Sequence, residues 1–320
     1  MACRYVVPMI IFGLSLGAVL IFFMTNRQYQ DRLTPVFSKL NLTSKMISTA
    51  KRSQWPDNKL IVIPAIYKEI EWANRSSWPL WLRNGLNPQS SYHVHLYQRI
   101  DPNSTAPYDW PYCANRHEEV GVYLEFIYKY YYDLPKKMLF IHGDPFPHSP
   151  YPVEIAQCIR DDVHYASVNP GYFANRAWNM WAHVENETIG KMYRCASYVL
   201  SLFGFDGESQ LNPNNLTPKK NNTIQAPCCA QFFVTRERIR HYTYKQWSAV
   251  YGANLLPYCV DSDDAETPGE RETKWFAGSF EHVWHIILGF HPNDMELPRP
   301  QTTSDPCNLL RRSCKLLSCS

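Results

Sequence analysis

The segment His142-Gly143-Asp144-Pro145-Phe146-Pro147-His148 brings two imidazoles and a carboxylate together, beside a glycine that lets backbone and ligand approach closely. That donor mixture suits a divalent cation, manganese or zinc by preference, with His142, Asp144 and His148 as ligands. A Gly-Asp-Pro turn with solvated histidines is the plainer alternative. A second group, Glu281, His282 and His285, lies in an apolar segment; Glu281 and His285 are one helical turn apart and off the face carrying Phe280 and Trp284. They could enter a cleft together as base and ligand, or form an ordinary surface pair. Arg116-His117-Glu118-Glu119 opens a helix whose amino end suits phosphate, although capping and charge complementarity explain the same residues. Arg236, Glu237 and Arg238 follow an apolar run and could clamp an anion; charges at a helix start account for them equally well. Asp261-Ser262-Asp263-Asp264 contains an Asp-x-Asp triplet, which acidic loops also produce by chance.

Such side chains need a scaffold, and the apolar pattern supplies one. Leu60–Ile66, His93–Tyr97, Met138–His142, His164–Val168 and Ala230–Val234 read as short strands. Lys68–Leu86 reads as a helical or irregular crossover. A helix is expected from a capping box of Asn115 and Glu118, with Val120, Leu124, Ile127 and Tyr131 on one face and Asp133-Leu134-Pro135 as its stop. A last helix begins near Ser279. The alternation of strand and helix implies an α/β fold, a mostly parallel sheet with helices on both faces. In such sheets ligands bind beyond the carboxyl ends of the strands, where His142–His148 falls.

The 320 residues carry 32 Lys and Arg against 29 Asp and Glu, with 45% apolar residues. This excludes a disordered or fibrous chain, and the near-balanced, scattered charge argues against a nucleic-acid partner. Tyr5–Met24 is twenty residues without a charge, long enough to cross a bilayer as a helix and longer than the apolar core of a cleaved signal. The expected organisation is a cytoplasmic tail over 1–4, a transmembrane signal-anchor over 5–24, a polar stalk over 25–58, a lumenal α/β domain over 59–292 and a Cys-containing tail over 293–320. Acceptor triplets for N-glycosylation occur at Asn41, Asn74, Asn103, Asn186, Asn215 and Asn221, and nine of the ten Cys also follow the span. Both features point to an oxidising lumen and a single-pass type II protein of the Golgi or endoplasmic reticulum, or of the cell surface. At least one of Cys307, Cys314 and Cys319 should bridge to the body, with Cys259 a candidate partner, whereas adjacent Cys228 and Cys229 should not pair with each other.

GxSxG, HExxH, P-loop and GxGxxG patterns are all absent, which counts against lipase, zincin, kinase and Rossmann redox chemistry. Asn115-Arg116-His117-Glu118-Glu119, Tyr132-Asp133-Leu134-Pro135, Phe140-Ile141-His142-Gly143 with His148, Cys229–Ile239 and Glu281–Gly289 together resemble the domain of unknown function family numbered 3431, over residues 60–290. That family's layout is similar to GT-A glycosyltransferases. The analogy casts Asp144 as the acidic residue after a central strand and His285 as the late histidine of a metal shell. On that layout Asp144 and Glu281 are the expected catalytic residues; Arg116, Glu118, Gln231, Arg236 and Trp284 bind substrate; and His142, Asp144, His148 and His285 hold the cation. The implied activity is glycosyl transfer from a nucleotide-sugar to a glycan acceptor. The alternative is a non-catalytic, membrane-anchored ectodomain that binds glycan or protein.

Overall fold

The computed structural model describes residues 54–56, 58–100, 110–169, 173–177, 187–205, 223–227, 230–253, 259, 274–289 and 310. All of them belong to the unit Ser53–Ser320. The expected span over 5–24, most of the stalk, nearly all of the tail, the Asp261–Asp264 triplet and the sequons at Asn41, Asn103, Asn186, Asn215 and Asn221 lie outside the described residues. Among the described residues, no helix is long and apolar enough to cross a membrane.

A five-stranded sheet forms the centre. Strand β1 (Leu60–Ala65) lies between β2 (Tyr92–Val94) and β5 (Lys137–His142), parallel to both. Strand β9 (Phe232–Thr235) then pairs antiparallel to β5, and β6 (Tyr165–Ser167) antiparallel to β9. The spatial order is β2-β1-β5-β9-β6, and the sheet is mostly parallel. Two short pairs stand apart from it: β3 (Gln98–Ile100) with β4 (Tyr112–Ala114), parallel, and β7 (Phe173–Ala177) with β8 (Thr223–Pro227), antiparallel.

Both faces of the sheet are covered, which is why its central strands are almost continuously apolar rather than alternating. Ile61, Ile63, Met138, Phe140, Phe232 and Val234 enter one core, with α2 (Glu118–Tyr130), α4 (Glu187–Leu202), α6 (Tyr244–Ala253) and α7 (Lys274–Gly289). Leu60, Val62, Leu139, Ile141 and Phe233 enter the other, against α1 (Leu80–Gly85) and α3 (Pro152–Cys158). The short helix α5 (Arg236–Ile239) follows β9 directly, and Thr235 caps it through its hydroxyl.

Two expectations change. The capping box at Asn115 does not form: α2 begins at Glu118, behind His117 in the left-handed region at φ 57°, and no side chain caps it. Glu118 is left-handed too, at φ 48°, so the helix entry carries strain of about 1–2 kcal/mol per residue. The last helix starts at Lys274, several residues before Ser279. Cys259 is bonded to Cys195, so it is not the partner of a tail cysteine. Cys158 is disulfide-bonded to a residue outside the described ones, and the adjacent Ile159 bridges to Leu310 of the tail. Cys113 is a buried free thiol, its pKa pushed up to about 12 mainly by burial.

Candidate active site

Ala65 and His142 are partners in register, so β1 and β5 end side by side. A cleft of about 350 Å³ opens beyond those ends, lined by Tyr67, Glu69, Arg99, Asn115, Glu118, Glu119, His142, Gly143 and Asp144. The chain leaving β1 folds back through a bond from the Tyr67 N–H to Glu69 Oε2 at 2.5 Å. That carboxylate lies against Gly143: a Cβ there would meet Glu69 Cδ at 2.7 Å and the Ile66 Cα at 3.1 Å. Glycine is required at this position for the two loops to close on each other.

Arg99 enters from β3, its guanidinium 5.7 Å from the centre of the Tyr67 ring. Its Nε is shielded from water and has no hydrogen-bond partner among the described residues; the same is true of His142 Nε2. A buried donor without an acceptor is costly, so the cleft is prepared for a ligand carrying acceptor atoms. The amino end of α2 brings in two carboxylates. Burial, then the charges of Glu118 and Glu281, push the Glu119 carboxyl up to about 7, although Arg99 opposes the shift. The His142 imidazole is pushed down to about 4 by burial and by His148, whose ring centroid is 5.6 Å away. It is therefore neutral at pH 7, the form that ligates metals and accepts protons.

The expected site residues are placed very differently from one another. His142, Asp144 and Glu118 line the cleft, and Glu281 of α7 lies close enough to act on Glu119. Asp144 is exposed, and its Oδ1 accepts the Phe146 N–H at 3.4 Å. Gln231 is buried behind the cleft and holds its loop through His142, Pro145 and Asn169. Arg116 is exposed and outside the lining residues. Arg236 lies at the opposite end of the sheet: β9 runs antiparallel to β5, so Thr235 faces Lys137 and the Arg236 N–H donates to the Lys136 carbonyl. Its guanidinium donates to the Leu134 carbonyl, which corrects its expected role as a clamp on substrate. Trp284 is also relocated. Its ring is 2% exposed and packs on Phe280, Phe232 and Tyr123, so it belongs to the core. His285 is buried on the same helix.

Among the described residues, no three His, Cys, Asp or Glu side chains gather closely enough to hold a metal, so His142, Asp144, His148 and His285 do not form one shell. A cation in this cleft would have at most two protein donors from the described residues. The carboxylates of Glu69, Glu118, Glu119 and Asp144 outnumber the one guanidinium, a charge balance that also favours a cation. Asn74 is exposed, and its Oδ1 accepts from Ser76 Oγ at 2.6 Å.

Arg99, Glu69 and Tyr67 escaped the sequence reading, since each is a single polar residue with no motif around it. Glu119 was noted only as part of a helix start; its adjacency to Glu118 was the available signal.

A family model described as "Protein of unknown function (DUF3431)" matches residues 61–304. No curated protein and no solved structure matches the chain.

Proposed function

The chain belongs to the DUF3431 family of unknown function, and we propose that it is a glycosyltransferase-like enzyme whose cleft beyond β1 and β5 holds a nucleotide-sugar donor. One observation carries this reading: a carboxyl held near pH 7, Glu119, shares a cleft with the unsatisfied donor of Arg99. A group with that pKa is suited to general base catalysis at neutral pH. In the proposed reaction Glu119 takes the proton of an acceptor hydroxyl as its oxygen bonds to the anomeric carbon of the donor. The bond from that carbon to the diphosphate breaks, and the nucleoside diphosphate leaves. Arg99 and Asn115 hold diphosphate oxygens. Glu281 keeps Glu119 basic through its charge, and Asp144 with His142 supplies protein donors for a divalent cation. Such a cation, of the manganese type rather than zinc because the remaining donors are oxygens, would supply positive charge for the leaving diphosphate.

The proposal includes a GT-A-like layout, a single-pass type II anchor over 5–24 and a lumenal body in the Golgi or endoplasmic reticulum. The Cys195–Cys259 disulfide and the exposed Asn74 support the lumenal placement. Endoglycosidase treatment of the chain from a eukaryotic cell should shift its gel mobility, and an unchanged band would remove that placement.

The decisive assay is release of nucleoside diphosphate by the full-length chain, offered uridine and guanosine diphosphate sugars with manganese. Release should rise with pH through about 7 as Glu119 ionises. Glu119→Gln should lower kcat by roughly a hundredfold or more. No release from any donor would overturn the enzyme reading in favour of a non-catalytic glycan- or protein-binding ectodomain, and equal rates in wild type and Glu119→Gln would remove Glu119 as the base.

A further inference from the structure

A second cleft, of about 610 Å³, is walled differently from the first. Trp110, Tyr112 and Tyr251 supply aromatic surface, Cys113 and Ala114 of β4 a small-residue floor, and Glu125 and Lys129 two opposite charges. Its walls are held in place. Tyr251 stacks on Tyr128 with centroids 4.6 Å apart and planes 3° from parallel, and its hydroxyl donates to Glu125 Oε2 at 2.5 Å. Tyr128 stacks in turn on Tyr244, 5.5 Å away, so three rings brace α6 against α2. Trp110 rests on Trp72 at 5.6 Å. Lys129 is drawn toward the rings of Tyr97 and Tyr130, at 5.9 and 5.7 Å. Tyr112 stands 61% exposed at the rim.

We propose that this cleft binds a pyranose unit of a neutral glycan. The lining selects for it by exclusion. Lys129 and Glu125 give the lining no net charge, so a charged ligand gains nothing from it overall. A wholly apolar ligand would strip water from both charges without replacing it. A pyranose has apolar C–H faces to lie on the Tyr112 and Trp110 rings, with hydroxyls at its edge to donate to Glu125 and accept from Lys129.

Ala114 lines this cleft and the adjacent Asn115 lines the first. Glu119 and Glu125 are also six residues apart on α2, about 9 Å along its axis. The second cleft is thus the acceptor side of the site; that assignment, unlike saccharide binding itself, rests on the enzyme reading above.

The test is titration of the full-length chain in detergent micelles with chitohexaose, mannohexaose and cellohexaose, followed by saturation-transfer NMR, and with uridine diphosphate as a control. At least one hexasaccharide should bind. Tyr112→Ala and Glu125→Gln should each weaken it by about tenfold or more, the factor expected from one lost contact. Binding of none of the three sugars would overturn the proposal, as would binding unchanged in both variants. Loss of uridine diphosphate affinity in Tyr112→Ala would also overturn it, because the aromatic wall would then serve the base. Saccharide binding sensitive to Tyr112, in a chain that releases no nucleoside diphosphate, would uphold this cleft and remove only the enzyme reading.

Discussion

Gln231 holds the His142 end of β5 through its side-chain amide: Oε1 accepts the His142 backbone N–H at 3.3 Å, while Nε2 donates to the Pro145 carbonyl at 3.3 Å and to Asn169 Oδ1 at 3.0 Å. The residue is 1% exposed. One buried amide therefore ties the strand end, the loop carrying Asp144 and the segment after β6 into one unit. This makes Gln231 a positioning residue.

Gln231→Leu keeps the volume but leaves the three partner groups without this amide. It should cost about 2 kcal/mol or more in urea unfolding. A variant as stable as wild type would mean that water or a loop shift satisfies those groups.

Gly143→Ala should destabilise by about 1–3 kcal/mol, because the new methyl overlaps the Glu69 carboxylate. Adding Glu69→Ala should recover part of the loss. The Ile66 Cα, 3.1 Å from the same methyl, prevents full recovery. Additive costs in the double-mutant cycle would show that the two loops do not press on each other.

Glu119 makes stability depend on pH with a defined sign. Its carboxyl is raised from an ordinary 4.5 to about 7, so the folded chain binds its proton more tightly than the unfolded chain. Below pH 4.5 both states are protonated and the difference vanishes. As pH rises toward 7 the unfolded state ionises first, and folding loses on the order of 3 kcal/mol. Glu119→Gln should therefore be more stable than wild type at pH 8 and equal to it at pH 4. Chemical denaturation at both pH values measures this, and parallel pH curves for the two proteins would refute the assigned burial.

Trp284→Ala should lower stability by about 3–5 kcal/mol, the cost of emptying a core site. Trp284→Phe should lose much less and bind a nucleotide-sugar as wild type does. Affinity lost by Trp284→Phe at unchanged stability would return the indole to the substrate site.

Cys195→Ala with Cys259→Ala should cost about 4 kcal/mol, since the bond closes a loop with a sequence separation of 64. Thermal melting of the double variant reads this directly. A cost near zero would indicate that the unfolded chain is already compact across this loop.

Much of the scaffold was legible because its signals are local. Leu60–Ala65 and Met138–Ile141 are continuous apolar runs since both faces of a covered sheet are buried, and the 3.6-residue spacing of Val120, Leu124 and Ile127 sets one face of α2. Parallel β1 and β5 then place the His142–Asp144 loop at a ligand-binding edge. Direction is not local. Phe232–Thr235 reads the same in either sense, and only its antiparallel pairing with β5 carries Arg236 to the far end while leaving Gln231 beside His142. Trp284 was ambiguous because α7 is buried on nearly every side, so no apolar face distinguishes core from cleft. Glu69, Arg99 and Glu119 have no mutual spacing that a pattern could register; they interact because three separate elements end at one cleft. Periodicity is set by the geometry of a single helix or strand, so the sequence by itself determined most of the elements and the sheet edge at which the His142–Asp144 loop lies. Which charges meet there, and how far their pKa values move, depends on distances and burial between residues remote in the chain, and only the tertiary structure decides those.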